Sequence, residues 1–180
     1  MPLGTSTSKP VRDQKARTKP NAKAQDAIKL LMADHATVED LFKKFEKAKN
    51  DEDAGKDAIV KKICDELSVH AQIEEEIFYP ATREVLEDED EEMVDEAEVE
   101  HAGIKSLVEQ LKEMAPDDEL YDAKVKVLSE YVKHHVKEEE TEYFPEVKKT
   151  EIDLEALGGR DGRRFRALCS RHSARASRHR

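Results

Sequence analysis

His70-Ala-Gln-Ile-Glu74-Glu-Glu-Ile-Phe-Tyr-Pro80 and His135-Val-Lys-Glu-Glu139-Glu-Thr-Glu-Tyr-Phe-Pro145 are two copies of one pattern. Each has a histidine, a glutamate four places later, an aromatic pair, and a proline ten places after the histidine. A further histidine precedes each copy, His35 before the first and His101 before the second, and the two separations differ by one residue. The middle of the chain is therefore a duplicated unit that carries His and His-x-x-x-Glu twice. Those are metal-ligand types at metal-ligand spacing.

Working outward, apolar residues recur every three or four places, the period of a helix face. Ile28, Leu31, His35, Val38 and Phe42 share one stripe, and Val60, Ile63, Leu67, His70, Glu74 and Ile77 share a second. Val94, Ala97, His101, Ile104, Val108 and Leu111 form a third, and Val125, Leu128, Val132, His135 and Glu139 a fourth. Breaks are expected at Asn50 to Gly55 and at Pro116-Asp117, where the aspartate would cap the next helix; the acidic run Glu87 to Glu92 is expected to be a solvated connection and the acidic start of the third helix, where negative charge suits the helix dipole. Pro80 is expected to kink or end its stripe and Pro145 to end the last, because proline has no N–H to donate. The pattern implies an all-α protein, an antiparallel up-down-up-down four-helix bundle built from a duplicated helix pair. The bundle is expected to occupy residues 24–150. A disordered basic arm, residues 1–23, is expected before it, and an arginine-rich disordered tail, residues 151–180, after it.

With 180 residues, the chain can build one domain with a real core. A charged fraction of 41% with no tryptophan leaves few hydrophobic residues to place, which favours long helices over sheet. The net charge of −11 argues against nucleic-acid binding by the core and leaves it open only for the basic termini. Cys64 and Cys169 form no disulfide framework, and Cys64 reads as a small core residue, which suits a reducing cytoplasm. No run approaches the ~20 apolar residues that span a bilayer, so no membrane partner is expected. The N-terminal residues also lack the apolar run of a signal peptide.

A single histidine on an apolar face is usually a packed side chain with one bonded nitrogen. Here His35, His70, His101 and His135 lie on four separate stripes, and Glu74 and Glu139 follow two of them by one turn on the same face. A buried ionised carboxylate costs several kcal/mol unless it is paired or bound to metal. Four imidazoles and two carboxylates without thiolates suit iron or manganese and also admit zinc. His134-x-x-x-Glu138 has the same spacing, but His135 keeps register with His70 through to the proline. Glu39, four places after His35, reads as a surface carboxylate, and Tyr79 and Tyr143 read first as packing residues.

In this order and spacing, residues 24–150 resemble the hemerythrin-like (HHE cation-binding) domain. The resemblance implies a four-helix bundle around two non-haem iron ions bridged by carboxylates and an oxo or hydroxo group. It implies that His35 and His70 ligate one iron and His101 and His135 the other, with Glu74 and Glu139 as bridges. The family's oxygen carriers have a second histidine four places after the third-helix ligand and an aspartate in the last motif. Here those positions hold Lys105 and Glu139. The departure disfavours reversible oxygen carriage and suits sensing, peroxide handling or iron homeostasis. The expected ligand is a small diatomic or a peroxide, bound or reacted with at an open coordination position. Two other functions stay open, an iron-homeostasis module whose folding is coupled to metal and a structural zinc bundle. No side chain outside the ligand set stands out as a general acid or base, so no catalytic residue is assigned.

Overall fold

The computed structural model describes residues 26–48 and 55–159, and within them every regular element is helical. The long helices are α1 (Ala27–Ala48), α2 (Lys56–Ile73), α4 (Asp88–Glu113) and α5 (Tyr121–Glu138). Two short helices, α3 (Tyr79–Arg83) and α6 (Phe144–Val147), extend α2 and α5 beyond a π-helical turn each, Glu74–Phe78 and Glu139–Tyr143. Helix α1 packs along α2 and α4 along α5, while α2 also meets α4 and α1 meets α5, making a helical bundle.

The apolar stripes meet in two clusters. One gathers Val38, Phe42, Phe45, Ile63, Leu67, Ile104, Val108, Leu128 and Val132; the other gathers Ile28, Leu31, Ile73, Phe78, Tyr79, Val94, Tyr143 and Phe144. Along α1 and α4 the chain passes from the second cluster to the first; along α2, and along α5 with its extension through Tyr143 and Phe144, it passes back. The histidine of each helix stands at the crossing. Burial of these stripes on both sides, at roughly 25 cal/mol per Å² of apolar surface, holds a polar layer that could not support itself.

At the prolines the structure departs from the expectation. Pro80 and Pro145 do not end their helices. The chain instead widens by one residue, so that Tyr79 N–H donates to the Glu74 carbonyl and Phe144 N–H to the Glu139 carbonyl, an i to i+5 pattern. The helix then continues to Arg83 and Val147. One inserted residue turns the face by about 100°, and this moves the stripe. Ile77, on the expected stripe, is only half-buried, while Phe78 and Tyr79 are both fully buried. Both copies of the aromatic pair thus enter the core directly beneath a glutamate of the polar layer.

Other local expectations divide. Of the turn expected at Asn50 to Gly55, only Gly55 lies within the described residues; its φ of 65° is the left-handed conformation that glycine adopts without strain. Pro116-Asp117 does break the chain, but Asp117 caps nothing. Helix α5 starts at Tyr121, and Asp118 organises the preceding loop by accepting the Ala115 N–H at 2.8 Å. Residues 1–23 and the arginine-rich stretch from 160 lie outside the described residues. The beginning of the expected tail is packed structure: 154–159 is helical, and Leu157 is buried in the second cluster with Ile152 and Leu154 against it. No described helix is long and apolar enough to cross a membrane.

Candidate metal centre

The six residues singled out by spacing converge between the two apolar clusters, and all are buried. All four histidines turn Nε2 inward. His35 and His70 bring theirs to 3.1 Å of each other, and His101 and His135 to 3.0 Å. Glu74 Oε2 stands 3.2 Å from His70 Nε2 and 3.3 Å from His101 Nε2. Glu139 Oε2 stands 3.2 Å from His35 Nε2 and 3.5 Å from His135 Nε2. Each carboxylate therefore reaches one histidine of either pair. The i, i+4 spacing accounts for His70 with Glu74 and His135 with Glu139; the other two approaches exist only because helices cross.

The outer nitrogens reveal residues that the sequence reading missed. His35 Nδ1 faces Glu140 Oε1 at 2.9 Å, His101 Nδ1 faces Glu75 Oε1 at 3.0 Å, and His135 Nδ1 faces Glu100 Oε2 at 2.9 Å. An ionised carboxylate only accepts, so the nitrogen facing it carries the proton. That fixes each ring and aims Nε2 at the centre, the usual support for a metal-binding histidine. The fourth acid, Asp34, stops at 3.7 Å from His70 Nδ1, beyond hydrogen-bond length, and leaves that nitrogen without a partner. A signal was present in the repeat: an acid directly precedes His35 and His101, and another directly follows Glu74 and Glu139. Its use is crosswise between helices, which spacing cannot display. Lys105 faces outward and holds Glu75 at 2.7 and 2.9 Å, steadying the acid that orients His101.

The cluster fits a metal on two observations. Both oxygens of Glu74 and Oε2 of Glu139 are buried without any hydrogen-bond donor, which is costly for an ionised carboxylate unless a cation sits beside it. Two imidazole nitrogens each about 2.1 Å from one ion and at right angles would stand about 3.0 Å apart, which matches both histidine pairs. Without metal, protons take the cation's part. Burial opposes charge on His70, but Glu74, Asp34 and Glu139 outweigh it and hold its pKa well above the ordinary value. His101 is raised in the same way against burial, chiefly by Glu74 and Glu75. Burial likewise opposes the Glu74 carboxylate, yet His70 and His101 hold it well below the usual range.

The tyrosine hydroxyls are already engaged. Tyr79 Oη donates to Glu139 Oε1 at 3.0 Å, and burial followed by the charges of Glu74 and Glu139 pushes its pKa well up. Tyr143 pairs with Thr82. His134 is 62% exposed, whereas His135 is buried at 3%. Glu39 lies at the surface, paired with Lys43 at 2.8 Å. Burial raises the Cys64 thiol to about 11, which removes it as a nucleophile.

A sequence profile described as the hemerythrin HHE cation-binding domain matches residues 26–147. The chain belongs to that family. A solved structure of a hemerythrin HHE cation-binding domain-containing protein from Mycobacterium kansasii superposes with a TM-score of 0.66 at 22% identity, covering 80% of this chain and 87% of that one. At that identity the likeness speaks for the fold. A curated relative, a DNA nickase of Nostoc sp. (strain PCC 7120 / SAG 25.82 / UTEX 2576), is 29% identical over 125 residues, 69% of this chain. The aligned part is 33% of the nickase, so the HHE domain here spans about a third of that relative's length. The His/Glu clusters of this HHE protein can bind metal cations.

Proposed function

We propose that this protein is a non-haem di-iron protein that binds or reacts with dioxygen, peroxide or nitric oxide, in redox or oxygen response or in detoxification. His35 and His70 hold one iron, His101 and His135 the other, and Glu74 and Glu139 bridge them. The carrying observation is that each carboxylate stands between one histidine of each pair, which supports the reading of two bridged ions. The alternating passage of the long helices between the two clusters supports an antiparallel up-down-up-down bundle, a helix pair used twice. When bound, the two irons supply a Lewis-acidic, redox-active surface for a small oxidant.

The chain's own residues decide what reaches that surface. On the histidine side lies a cavity of about 20 Å³, lined by Val38, Leu67, Ile104, Val132 and Val136 around the four rings, with Asp34 as its one carboxylate. That is room for one water-sized molecule, and its apolar wall suits a neutral diatomic better than an ion. Glu140, Glu75 and Glu100 keep the rings in place, and Tyr79 holds Glu139 from the opposite side. The buried, unpaired Cys64 suits a reducing setting, and we place the protein in the cytoplasm on that ground. The nickase activity of the relative is not carried over, because the match covers a third of that protein and a net charge of −11 opposes DNA contact.

Metal analysis of protein purified without added metal tests the assignment. Two irons per chain, with visible absorption bands that change on exposure to oxygen, peroxide or nitric oxide, are expected. Zinc at full stoichiometry, or iron without any spectral response, would overturn it. The orphaned carboxylate oxygens favour one second reading, an iron-homeostasis module that folds fully only with metal. A large loss of helicity and protease resistance on metal removal distinguishes it.

A further inference from the structure

The carboxylate side of the centre opens differently from the apolar side. A cavity of about 50 Å³ runs inward between α4 and the α5 segment, past Glu96, Glu100, Glu138 and Glu142, to His135 and Glu139. No lysine or arginine is among the residues lining it. Its inner end is Glu139, 2% exposed, with Oε2 lacking a donor. A neighbouring surface groove shares Glu96, Glu100 and Glu138 with this cavity; in it His134 Nε2 lies 3.3 Å from Glu100 Oε1 and 3.2 Å from Glu138 Oε1. One atom from each of these three residues falls within 4.8 Å of the others, an arrangement able to hold a cation.

Glu100 belongs to both places. Its Oε1 faces His134 outside, while its Oε2 accepts the Nδ1 proton of His135 inside. A hydrated dication gives up its water at a cost, and apart from the histidines themselves the histidine-side cavity offers it one carboxylate, Asp34, among valine, leucine, isoleucine and alanine, against the four glutamates Glu96, Glu100, Glu138 and Glu142 on the other side. The acidic groove replaces water ligands with carboxylate oxygens one at a time, and its single sign of charge concentrates cations at the mouth.

We propose that this groove is the loading path for the divalent metal, with His134, Glu138 and Glu100 as a transient outer site one step from His135 and Glu139. The inference rests on the reading of the buried cluster as a metal centre. Functionally, the two sides of the centre divide the work: cations arrive through the carboxylates, and the small neutral ligand arrives through the apolar cavity.

Stopped-flow uptake of Co²⁺ by the metal-free full-length chain tests it, with cobalt absorption as the signal and metal analysis as the end point. His134→Ala combined with Glu138→Gln removes two surface groups that touch no buried ligand. Uptake is expected to slow at least about tenfold and to lose most of its dependence on ionic strength. The final two cobalt ions per chain and their spectrum are expected to stay as in the wild type. Glu39→Gln, an acid at the surface of α1 outside the groove, is expected to load at the wild-type rate. Equal uptake rates for the double variant and the wild type, or equal slowing by Glu39→Gln, would overturn the loading path. Failure of the wild type itself to take up two ions would instead overturn the metal centre.

Discussion

The two halves of the centre carry the same ligands but not the same supports. In the first copy of the motif the aromatic pair is Phe78-Tyr79, and in the second it is Tyr143-Phe144. Tyr79 and Phe144 occupy matching places. The Tyr79 ring lies tilted 5.6 Å from His101, and the Phe144 ring stacks 6.0 Å from His35. Only Tyr79 has a hydroxyl to give, and it gives it to Glu139. Glu74, served by the phenylalanine half, has no donor on either oxygen. The acids before the histidines differ too. Glu100 reaches His135 at 2.9 Å, whereas Asp34, one methylene shorter, stays 3.7 Å from His70. The two copies of the motif share the buried histidines and glutamates but differ around them, so the cluster is symmetric in composition and asymmetric in electrostatics.

The most drastic way to break the comparison is to remove a bridge. Glu74→Ala and Glu139→Ala should each lower the metal content from two ions per chain to one or fewer. If both variants keep two ions, neither carboxylate bridges. Next in size are the outer acids. Glu100→Gln should loosen metal retention against a chelator by about 10- to 100-fold, the usual effect of losing such a partner. Asp34→Asn should change it far less, because that contact is already too long. Asp34→Glu, restoring the reach, should slow metal loss; faster loss would show that the shorter acid is needed where it is.

Smaller still is the exchange of aromatic rings. Tyr79→Phe should cost the metal-free protein about 2 kcal/mol, the scale of a hydrogen bond to a charged group, read as a lower urea midpoint. Phe144→Tyr should partly equalise the halves by supplying Glu74 with a donor, and a drop in stability would refute that.

The mildest probe is pH. In the metal-free protein, the raised pKa values of His70 and His101 contribute stability that is complete below about 6.5. It is lost as pH rises through their folded values. Glu74, held low, contributes above the ordinary glutamate value of 4.5 and loses that contribution as pH falls through its folded value. Thermal melts of the metal-free form should therefore peak at about pH 5 to 6 and decline toward alkaline pH. Metal binding must displace the protons on His70 and His101, so the gap between loaded and metal-free melting temperatures should widen with rising pH. A gap that narrows would refute the proton-for-metal exchange.

The legible parts were those written in short-range spacing. The 3.6-residue period marked the long helices, and i, i+4 placed His70 with Glu74 and His135 with Glu139 on shared faces. It also preferred His135 over His134, which the structure leaves 62% exposed. Helix boundaries were less legible. Proline chemistry pointed to a kink or an end at Pro80; the chain takes a widened turn just before it, and Ile77 lost its place to Phe78. Asp117 had capping chemistry and found no helix start to cap. Leu157 belonged to a segment whose composition read as tail, yet it is buried in the second cluster.

Residue identity and spacing alone carried the six buried polar groups, the repeated motif and the all-helical class, because helical periodicity is a local property of the chain. Which groups meet across helices was decided only by packing. Glu140 reaching His35, Glu75 reaching His101, and Glu100 shared between His135 and the surface His134 join residues far apart in the sequence. So does the contrast between an apolar side and an acidic side of one centre. Local rules set each helix's face; the distances between faces arise from how four stripes interlock, and that is where the supports, the cavities and the inequality of the two halves were determined.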